Sequence, residues 1–371
     1  MPRLPFRALG ALWLAGGAFG QDTIKVGEYA SLTGKEATYG QASHQGTLLA
    51  IEQVNARGGV LGRQLELLTE DDQSKQGEAA TAVKKLISRD KVVAMLGEVA
   101  SIRSLEAAPV LQHARIPMVS PSSVNARVTE VGDYIFRVCF IDSFEAPLLA
   151  RFALNTLHAR RVAILTSVSN AYSVGMTRYF KERYLADGGT VAAEQRYTEG
   201  DKDFRAQLTA IKAANVDAIF ASGYYTEAAL ICLQARQLGL TLPVFGGDGW
   251  DSPALLEIGG AAMEGTYFAT HFSPDNPSPE VQRFNREFQA RWGARPDAMA
   301  ALGYDSALVL ADAIARAGST APARIRDALA ATRDFPAVTG RITIDANRNA
   351  AKSAVILTVK DGRYQFVTAA N

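Results

Sequence analysis

The sequence predicts an α/β fold made of two lobes, each a mainly parallel sheet with helices on both faces. Two observations lead to this class. Strand patterns alternate with helix patterns along most of the chain, and several strands are short, continuous apolar runs such as residues 161–165 (RVAIL). These units are more numerous than one sheet of ordinary size holds, and the alternation divides near Ile141, so we expect two lobes.

The first half of the chain contains strand patterns at residues 23–29, 64–70, 92–96, 117–120 and 134–138. Between them, apolar residues at helical spacing predict a helix that ends at Gly58-Gly59 and further helices at residues 76–89 and 104–114. Because connections between parallel strands are right-handed, these helices should cover both faces of one sheet.

The alternation continues after Ile141, with helices predicted at residues 142–158, 174–187, 204–214 and 226–238 and strands at residues 161–165, 191–197, 218–221, 244–246 and 265–270. Three helical patterns then follow one another, at residues 279–292, 298–317 and 322–331, before strand patterns at residues 340–344, 354–359 and 364–367. If these helices complete one lobe and these strands complete the other, the chain must cross between the lobes several times. Such crossings would span a cleft between the lobes. We therefore expect residues 21–141 and 271–338 to form the N-terminal lobe, and residues 142–270 and 339–371 the C-terminal lobe.

The first 20 residues have the organisation of a removable export signal. Arg3 and Arg7 form a positively charged start, residues 8–19 are apolar or small, and Ala18-Phe19-Gly20 is close to the small-x-small pattern of a signal peptidase site. The apolar stretch is too short for a permanent membrane helix, and we expect no later membrane span. No cysteine follows the site to accept a lipid, so we expect a cleaved, soluble and unlipidated periplasmic protein.

Composition excludes several classes of function. With Lys+Arg 39 against Asp+Glu 38 the net charge is +1, which provides no field for nucleic acid or for an anionic membrane. The four histidines lie far apart without ligand spacing, so no metal site is expected, and no nucleotide-binding motif or nucleophile elbow points to a cofactor or to catalysis. Cys139 and Cys232 are the only cysteines, and we interpret them as buried free thiols.

Polar, small and aromatic residues gather where the predicted strands end. Because ligands of open α/β sheets bind at the carboxyl ends of strands, we select as candidate ligand-binding residues Tyr39, Ser101, Ser122, Ser123, Tyr172, Tyr224 and Asp248. Hydroxyls and helix N-termini suit a carboxylate, Asp248 suits an ammonium, and tyrosine rings supply walls, so the set fits a zwitterion such as a free amino acid. Taken singly, the serines are more typical of helix caps, Asp248 of a turn and the tyrosines of packing. Only their convergence at one edge favours binding.

The same residues carry a resemblance to a known family. The segments concerned are IKVG at residues 24–27, SLTG at 31–34 with Tyr39-Gly40, NARGGVLG at 55–62, EDD at 70–72, IPMVSP at 116–121, YIFR at 134–137 and GGDGW at 246–250. In these segments the chain resembles the periplasmic Leu/Ile/Val-binding proteins, the type I substrate-binding proteins of ABC importers.

The resemblance implies a fold, a function and roles for the candidate residues. It implies two doubly wound Rossmann-like lobes joined by a three-crossing hinge, a monomer that is not an enzyme, and delivery of a branched-chain or other hydrophobic amino acid to a membrane permease. It further implies the following roles: the α-carboxylate held by Ser101, Ser122 and Ser123, the second lobe closed by Tyr172 and Tyr224, the ammonium held by Asp248, and an aromatic wall at Tyr39.

Two departures from the family pattern keep other ligands open. Val124 stands where the family often has a threonine that contacts the amino-acid head group, and Ala100 and residues 72–74 lack the family's cysteines. An amide, urea or an aromatic acid is therefore an alternative ligand, and a sensory ligand-binding protein is an alternative role. A hydrolase is disfavoured because no nucleophile–base pair is recognisable.

Overall fold

The computed structural model describes residues 23–370, so the predicted export signal at residues 1–20 lies outside the described residues. The first lobe is built on a five-stranded sheet in which every neighbouring pair is parallel. Its strands are β1 (Ile24–Ala30), β2 (Leu65–Asp71), β3 (Ala94–Leu96), β4 (Met118–Ser120) and β5 (Ile135–Arg137), in the spatial order β2-β1-β3-β4-β5. The intervening helices are α1 (Ala37–Ala56), α2 (Glu78–Lys85), which continues as a π turn to Asp90, α3 (Ser101–Ala114) and α4 (Arg127–Glu130).

The second lobe is built on a seven-stranded sheet. Its first half comprises α5 (Asp142–Asn155), β6 (Arg161–Ser167), α6 (Ala171–Ala186), β7 (Thr190–Tyr197), α7 (Arg205–Ala213) and β8 (Ala218–Ala221). There follow α8 (Tyr225–Gln237), β9 (Val244–Gly246), α9 (Pro253–Gly259), β10 (Tyr267–Thr270) and a C-terminal hairpin of β14 (Ala354–Lys360) and β15 (Arg363–Ala370). The order is β15-β14-β10-β9-β8-β6-β7, and only the hairpin strands pair antiparallel. Residues 162–165 of β6 are fully buried, as expected for a strand covered on both faces.

Between β10 and β14 the chain returns to the first lobe and forms three helices: α10 (Pro279–Trp292), α11 (Ala298–Ala317) and α12 (Pro322–Ala330). Glycines let α11 pack closely on α1, because a Cβ at Gly46 would lie 1.9 Å from the carbonyl oxygen of Ala300, and one at Gly303 would lie 2.1 Å from that of Ser43. By length and hydropathy (1.4), α11 could cross a membrane, contrary to our expectation that no such segment exists. Since 83% of its apolar window is buried, it is a core helix of this lobe.

A small antiparallel sheet formed by β11 (Phe335–Ala337), β12 (Gly340–Ile344) and β13 (Ala350–Ala351) follows α12. Our boundary placed residue 339 onward in the second lobe, and here the structure differs. The backbone N–H of Arg137 donates to the carbonyl of Arg348 at 3.2 Å, and Thr129 donates to Asn349 at 2.9 Å, so this segment is bonded to the first lobe. The chain joins the second sheet only at β14.

Three crossings, near residues 138–142, 270–273 and 351–354, connect the lobes. Side chains tie the crossings together. The ring of His271 in the second crossing stacks on Phe140 in the first, with centroids 3.6 Å apart. Lys352 in the third donates to the carbonyl of Val138 at 3.2 Å and to Thr339, and burial lowers the pKa of Lys352 to about 8. The lobes therefore share one polar, packed hinge.

Candidate ligand-binding site

The predicted site residues meet where the two sheets face each other. Strand order reverses between β1 and β3 in the first lobe and between β6 and β8 in the second, and ligands bind at such switch points. Each candidate stands at the start of the helix or turn that follows a strand, and all are buried: Tyr39, Ser101, Ser122, Ser123, Tyr172, Tyr224 and Asp248. The structure therefore brings both halves of the predicted set to the surface between the lobes.

Direct contacts between these residues hold the lobes in a closed arrangement. The hydroxyl of Tyr39 in the first lobe donates to the carbonyl of Gly249 in the second. The same hydroxyl accepts the backbone N–H of Tyr225 at 3.4 Å. Ser122 Oγ lies 3.5 Å from Asp248 Oδ2 across the same surface.

Four tyrosines form an aromatic wall. Tyr172 and Tyr224 stack with centroids 5.3 Å apart, and Tyr39 meets Tyr224 and Tyr225 edge-on at 5.5 and 4.8 Å. Asn170 sets the position of Tyr172, because its side chain caps α6 by accepting the backbone N–H of Tyr172 at 2.9 Å. Tyr225 was not among the predicted residues, although its position beside Tyr224 was a signal for it.

Asp248 lies in a buried acidic group that includes a residue missed by the sequence analysis. Asp248 Oδ2 is 3.0 Å from Nε2 of His271, while Oδ1 has no hydrogen-bond partner among the described residues. Glu145 on α5 accepts the backbone N–H of Asp248 at 2.7 Å through Oε1, and its Oε2 also lacks a partner among the described residues. Asp142, one turn earlier, lies close enough to act electrostatically on Glu145.

Burial controls the protonation of this group. It raises the pKa of Glu145 well above its usual range, and the negative charge of Asp248 raises it further. Burial also raises the pKa of Asp142 to about 6, although the positive charge of Arg137 opposes the change. The pKa of His271 is lowered by burial, with the Asp248 carboxylate opposing, so its ring is neutral at pH 7. Among residues 23–370, the contacts of Asp248 therefore include no cationic side chain.

The serines of the first lobe occupy different positions. Ser122 faces Asp248, whereas the hydroxyl of Ser123 donates to the carbonyl of Glu98 at 2.8 Å and points into the first lobe. Ser101 begins α3, and its hydroxyl accepts the backbone N–H of Asn125 at 3.2 Å. Val124, the departure from the family pattern, is buried beside them.

The mouth of the cleft carries a charged contact between the lobes. Lys35 Nζ of the first lobe lies 2.7 Å from Glu199 of the second, and the hydroxyl of Tyr225 donates to the carbonyl of Lys35 at 2.8 Å. Next to them the Glu36 side chain is only 2% exposed. Burial raises the pKa of Glu36 to about 7, the negative charge of Glu199 contributes, and Lys35 opposes the shift.

Comparison with known proteins agrees with this architecture. The sequence profile of the family described as "Periplasmic binding protein" matches residues 23–363. The chain belongs to this family. The fold class and the family predicted from the sequence are therefore confirmed.

Individual relatives and solved structures show which members of this family the chain resembles. The chain is 30% identical over 342 residues to a leucine-, isoleucine-, valine-, threonine- and alanine-binding protein of Pseudomonas aeruginosa, covering 92% of this chain and 90% of that protein. The crystal structure of the leucine-binding protein LivK of Thermotoga maritima is 40% identical with a TM-score of 0.90, covering 94% and 99% of the two chains. That of LivJ from Streptococcus pneumoniae, in complex with isoleucine, is 33% identical with a TM-score of 0.89 and the same coverage.

These findings establish the general role. The protein is a solute-binding protein of an ABC transporter, located in the periplasm or outside the cell, and it binds a small molecule that it presents to a permease. Its family consists of binding proteins of transporters.

Proposed function

We propose that the protein captures a free amino acid with a hydrophobic side chain, of the branched-chain type, between its lobes and delivers it to an ABC importer. The observation that carries the proposal is the Asp248 carboxylate, which is buried between the lobes beside an aromatic wall with one oxygen unpartnered among the described residues. A ligand ammonium that loses its water on closure requires such a fixed negative group.

The surrounding charges favour an amino acid over a simple acid. The buried cations Arg137 and Lys352 are already engaged: Arg137 donates to the carbonyl oxygens of Ser123 and Asn125, and Lys352 donates to Val138 and Thr339. An aromatic acid without an amino group would bring a second negative charge against Asp248 and Glu145. The zwitterion supplies its own cation, which supports it against that alternative.

The other parts of the ligand would use the remaining predicted residues. Ser101 and Ser122, at the start of α3 and beyond β4, would hold the α-carboxylate, with Ser123 contributing through the turn that it stabilises. The rings of Tyr39, Tyr172 and Tyr224 would enclose an aliphatic side chain. Leucine, isoleucine and valine stand in the names or crystal complex of the similar proteins, which supports this ligand class.

The proposal also covers the processing and oligomeric state of the protein. We propose that the mature protein is a monomer without catalytic activity, that it is cleaved after about Gly20 and that it is not lipidated. Its N-terminal lobe comprises residues 21–141 and 271–351, since the bonds of Arg348 and Asn349 attach residues 339–351 to this lobe, and its C-terminal lobe comprises residues 142–270 and 352–371.

Native mass spectrometry and calorimetry test the function. Protein purified without denaturation should carry an adduct with the mass of an amino acid. After that ligand is removed by unfolding and refolding, the protein should bind leucine, isoleucine or valine but not leucinamide or benzoate. Binding of benzoate or an amide in preference to all three amino acids would reject the proposal.

A further inference from the structure

Glu145 is a buried carboxyl group that the ligand scheme above does not use. Its side chain is completely buried in the first turn of α5. One oxygen accepts the backbone N–H of Asp248 at 2.7 Å, and the other lacks a partner among the described residues. Asp248 Oδ1 also lacks a hydrogen-bond partner among the described residues. Two neighbouring carboxyl groups of the second lobe therefore each have one oxygen that can accept a hydrogen bond from a ligand.

Local packing holds Glu145 against the Asp248 turn. A Cβ at Gly247 would lie 2.8 Å from Glu145 Oε1 and 2.6 Å from the Tyr172 hydroxyl. Only glycine lets the chain pass between these two groups. The Tyr172 hydroxyl in turn accepts the backbone N–H of Gly249 at 3.1 Å, so Glu145 and Tyr172 fix the turn from both sides.

The groups facing Glu145 leave its charge uncompensated. They are Asp248 from the turn after β9, Asp142 from its own helix and Tyr172 from α6, with His271 of the hinge on the far oxygen of Asp248. None of these groups is a cation at neutral pH, since His271 is neutral there. Burial and the neighbouring Asp248 carboxylate both disfavour the ionised form of Glu145, and its pKa is raised well above its usual range, so an added cation between the two groups would favour loss of its proton.

We propose that Glu145 is a second acceptor for the ligand's amino group, so that the ammonium binds between Asp248 Oδ1 and Glu145 Oε2. The ammonium keeps its three protons and donates one N–H to each carboxylate. Glu145 loses its carboxyl proton to the solvent when the ligand enters. This inference rests on the proposed function, because it takes an amino acid as the ligand.

The substitution Glu145→Gln tests whether Glu145 accepts a hydrogen bond from the ligand's amino group. The amide oxygen still accepts the N–H of Asp248 and the size is retained, but the unpartnered oxygen becomes an NH₂ group that repels an ammonium. Glu227→Gln is the matched control, because Glu227 is also a buried acid of the second lobe that accepts one backbone N–H, that of Gly200 at 2.7 Å. The probes are leucine and 4-methylpentanoic acid, which has the same skeleton without the amino group.

Calorimetry at pH 7.5 in phosphate and in Tris, whose ionisation enthalpies differ, measures both the affinity and the number of protons released. We expect Glu145→Gln to bind leucine about 10- to 100-fold more weakly and to release fewer protons than the parent. Binding of 4-methylpentanoic acid should not weaken, and Glu227→Gln should match the parent. Comparison of variants cancels the contribution of other titrating groups. A loss of affinity for both probes would assign Glu145 a purely structural role and overturn the inference.

Unchanged leucine affinity and proton release in Glu145→Gln would also overturn it. If Asp248→Asn weakens binding while Glu145→Gln does not, the inference fails and the proposed function stands. If neither change matters, or the parent binds no amino acid, both fail. Should the glutamine variant unfold, Glu145→Met, which removes both oxygens at similar size, is measured in the same way with the same expected results.

Discussion

Substitution of Asp248 by asparagine tests the electrostatic basis of binding most directly. The change keeps the shape of the side chain and its contacts with Ser122 and His271 but removes a negative charge that is 3% exposed between the lobes. Loss of one member of a buried charge pair costs about 2–5 kcal/mol. Because Glu145 remains beside the ligand as a second carboxyl group, we expect the lower part of this range, about 2–3 kcal/mol, or an affinity about 30- to 150-fold weaker.

The assay is calorimetric titration of leucine, isoleucine, valine and leucinamide into the parent and the variant. Thermal unfolding of the ligand-free proteins is the control, and Tm should change little, because the removed charge has no cationic partner in the part of the chain that the structure describes. Ser101→Ala provides a comparison and should weaken binding less, since backbone N–H groups still face the carboxylate. An Asp248→Asn variant that binds amino acids as tightly as the parent would refute the zwitterion scheme and favour an amide or a simple acid.

Three further predictions concern closure and packing. Burial and the charge of Glu199 raise the pKa of Glu36 to about 7 in the closed arrangement, and we expect opening of the lobes to expose Glu36 and return its pKa toward the ordinary value of 4.5, so that closure binds an extra proton between these values. The contribution of Glu36 to affinity should therefore fall on the order of tenfold from pH 5.5 to pH 8 and level off above about pH 7. Because Glu145 titrates in the opposite sense on binding, the measured quantity is the ratio of Kd values between Glu36→Gln and the parent, and a ratio constant with pH would contradict the prediction. Tyr39→Phe removes the hydroxyl bonded to Gly249 and should raise Kd about 2- to 13-fold in the same titration, whereas an unchanged Kd would show that this bond does not favour closure. Gly46→Ala places a Cβ 1.9 Å from the Ala300 carbonyl oxygen and should lower the free energy of unfolding in urea by about 3 kcal/mol, and parent-like stability would mean that α1 and α11 separate without cost.

Periodicity predicted most of the fold because both lobes obey it closely. The apolar run at residues 161–165 lies inside β6, and the helical pattern at residues 279–292 coincides with α10, which Ser278 caps and Gly293 ends. The assignment of residues 340–344 to the second lobe remains at odds with the bonds described above. An alternating strand pattern predicts that one face of the strand is buried, but it does not identify the sheet to which the strand belongs. Ile342 and Ile344 are buried in the small sheet of β11, β12 and β13.

The site was predictable only where a residue follows a strand. That rule brings in Ser122, Tyr172 and Asp248, but it cannot find Glu145, whose place in the first turn of a helix is typical of an acid that simply favours the helix N-terminus. His271 was considered only as a metal ligand and set aside for lack of ligand spacing, and its contact with Asp248, 23 residues away in sequence, left no local signal. Ser122 and Ser123 were assigned one role, whereas in the bend after β4 Ser122 faces Asp248 of the second lobe and Ser123 bonds within the first lobe.

The close packing of α1 against α11 also constrains how the chain folds during synthesis. The two helices are more than 240 residues apart, and the glycines that join them belong to opposite ends of the same lobe. The second lobe is likewise incomplete until β14 and β15 add to its sheet. As the polypeptide emerges from the ribosome, N-terminus first, neither lobe can close its core until the last quarter of the chain has been made. Expression of residues 21–141 alone should accordingly give an aggregating fragment, and the nascent protein is exposed to proteases and chaperones for nearly the whole of its translation.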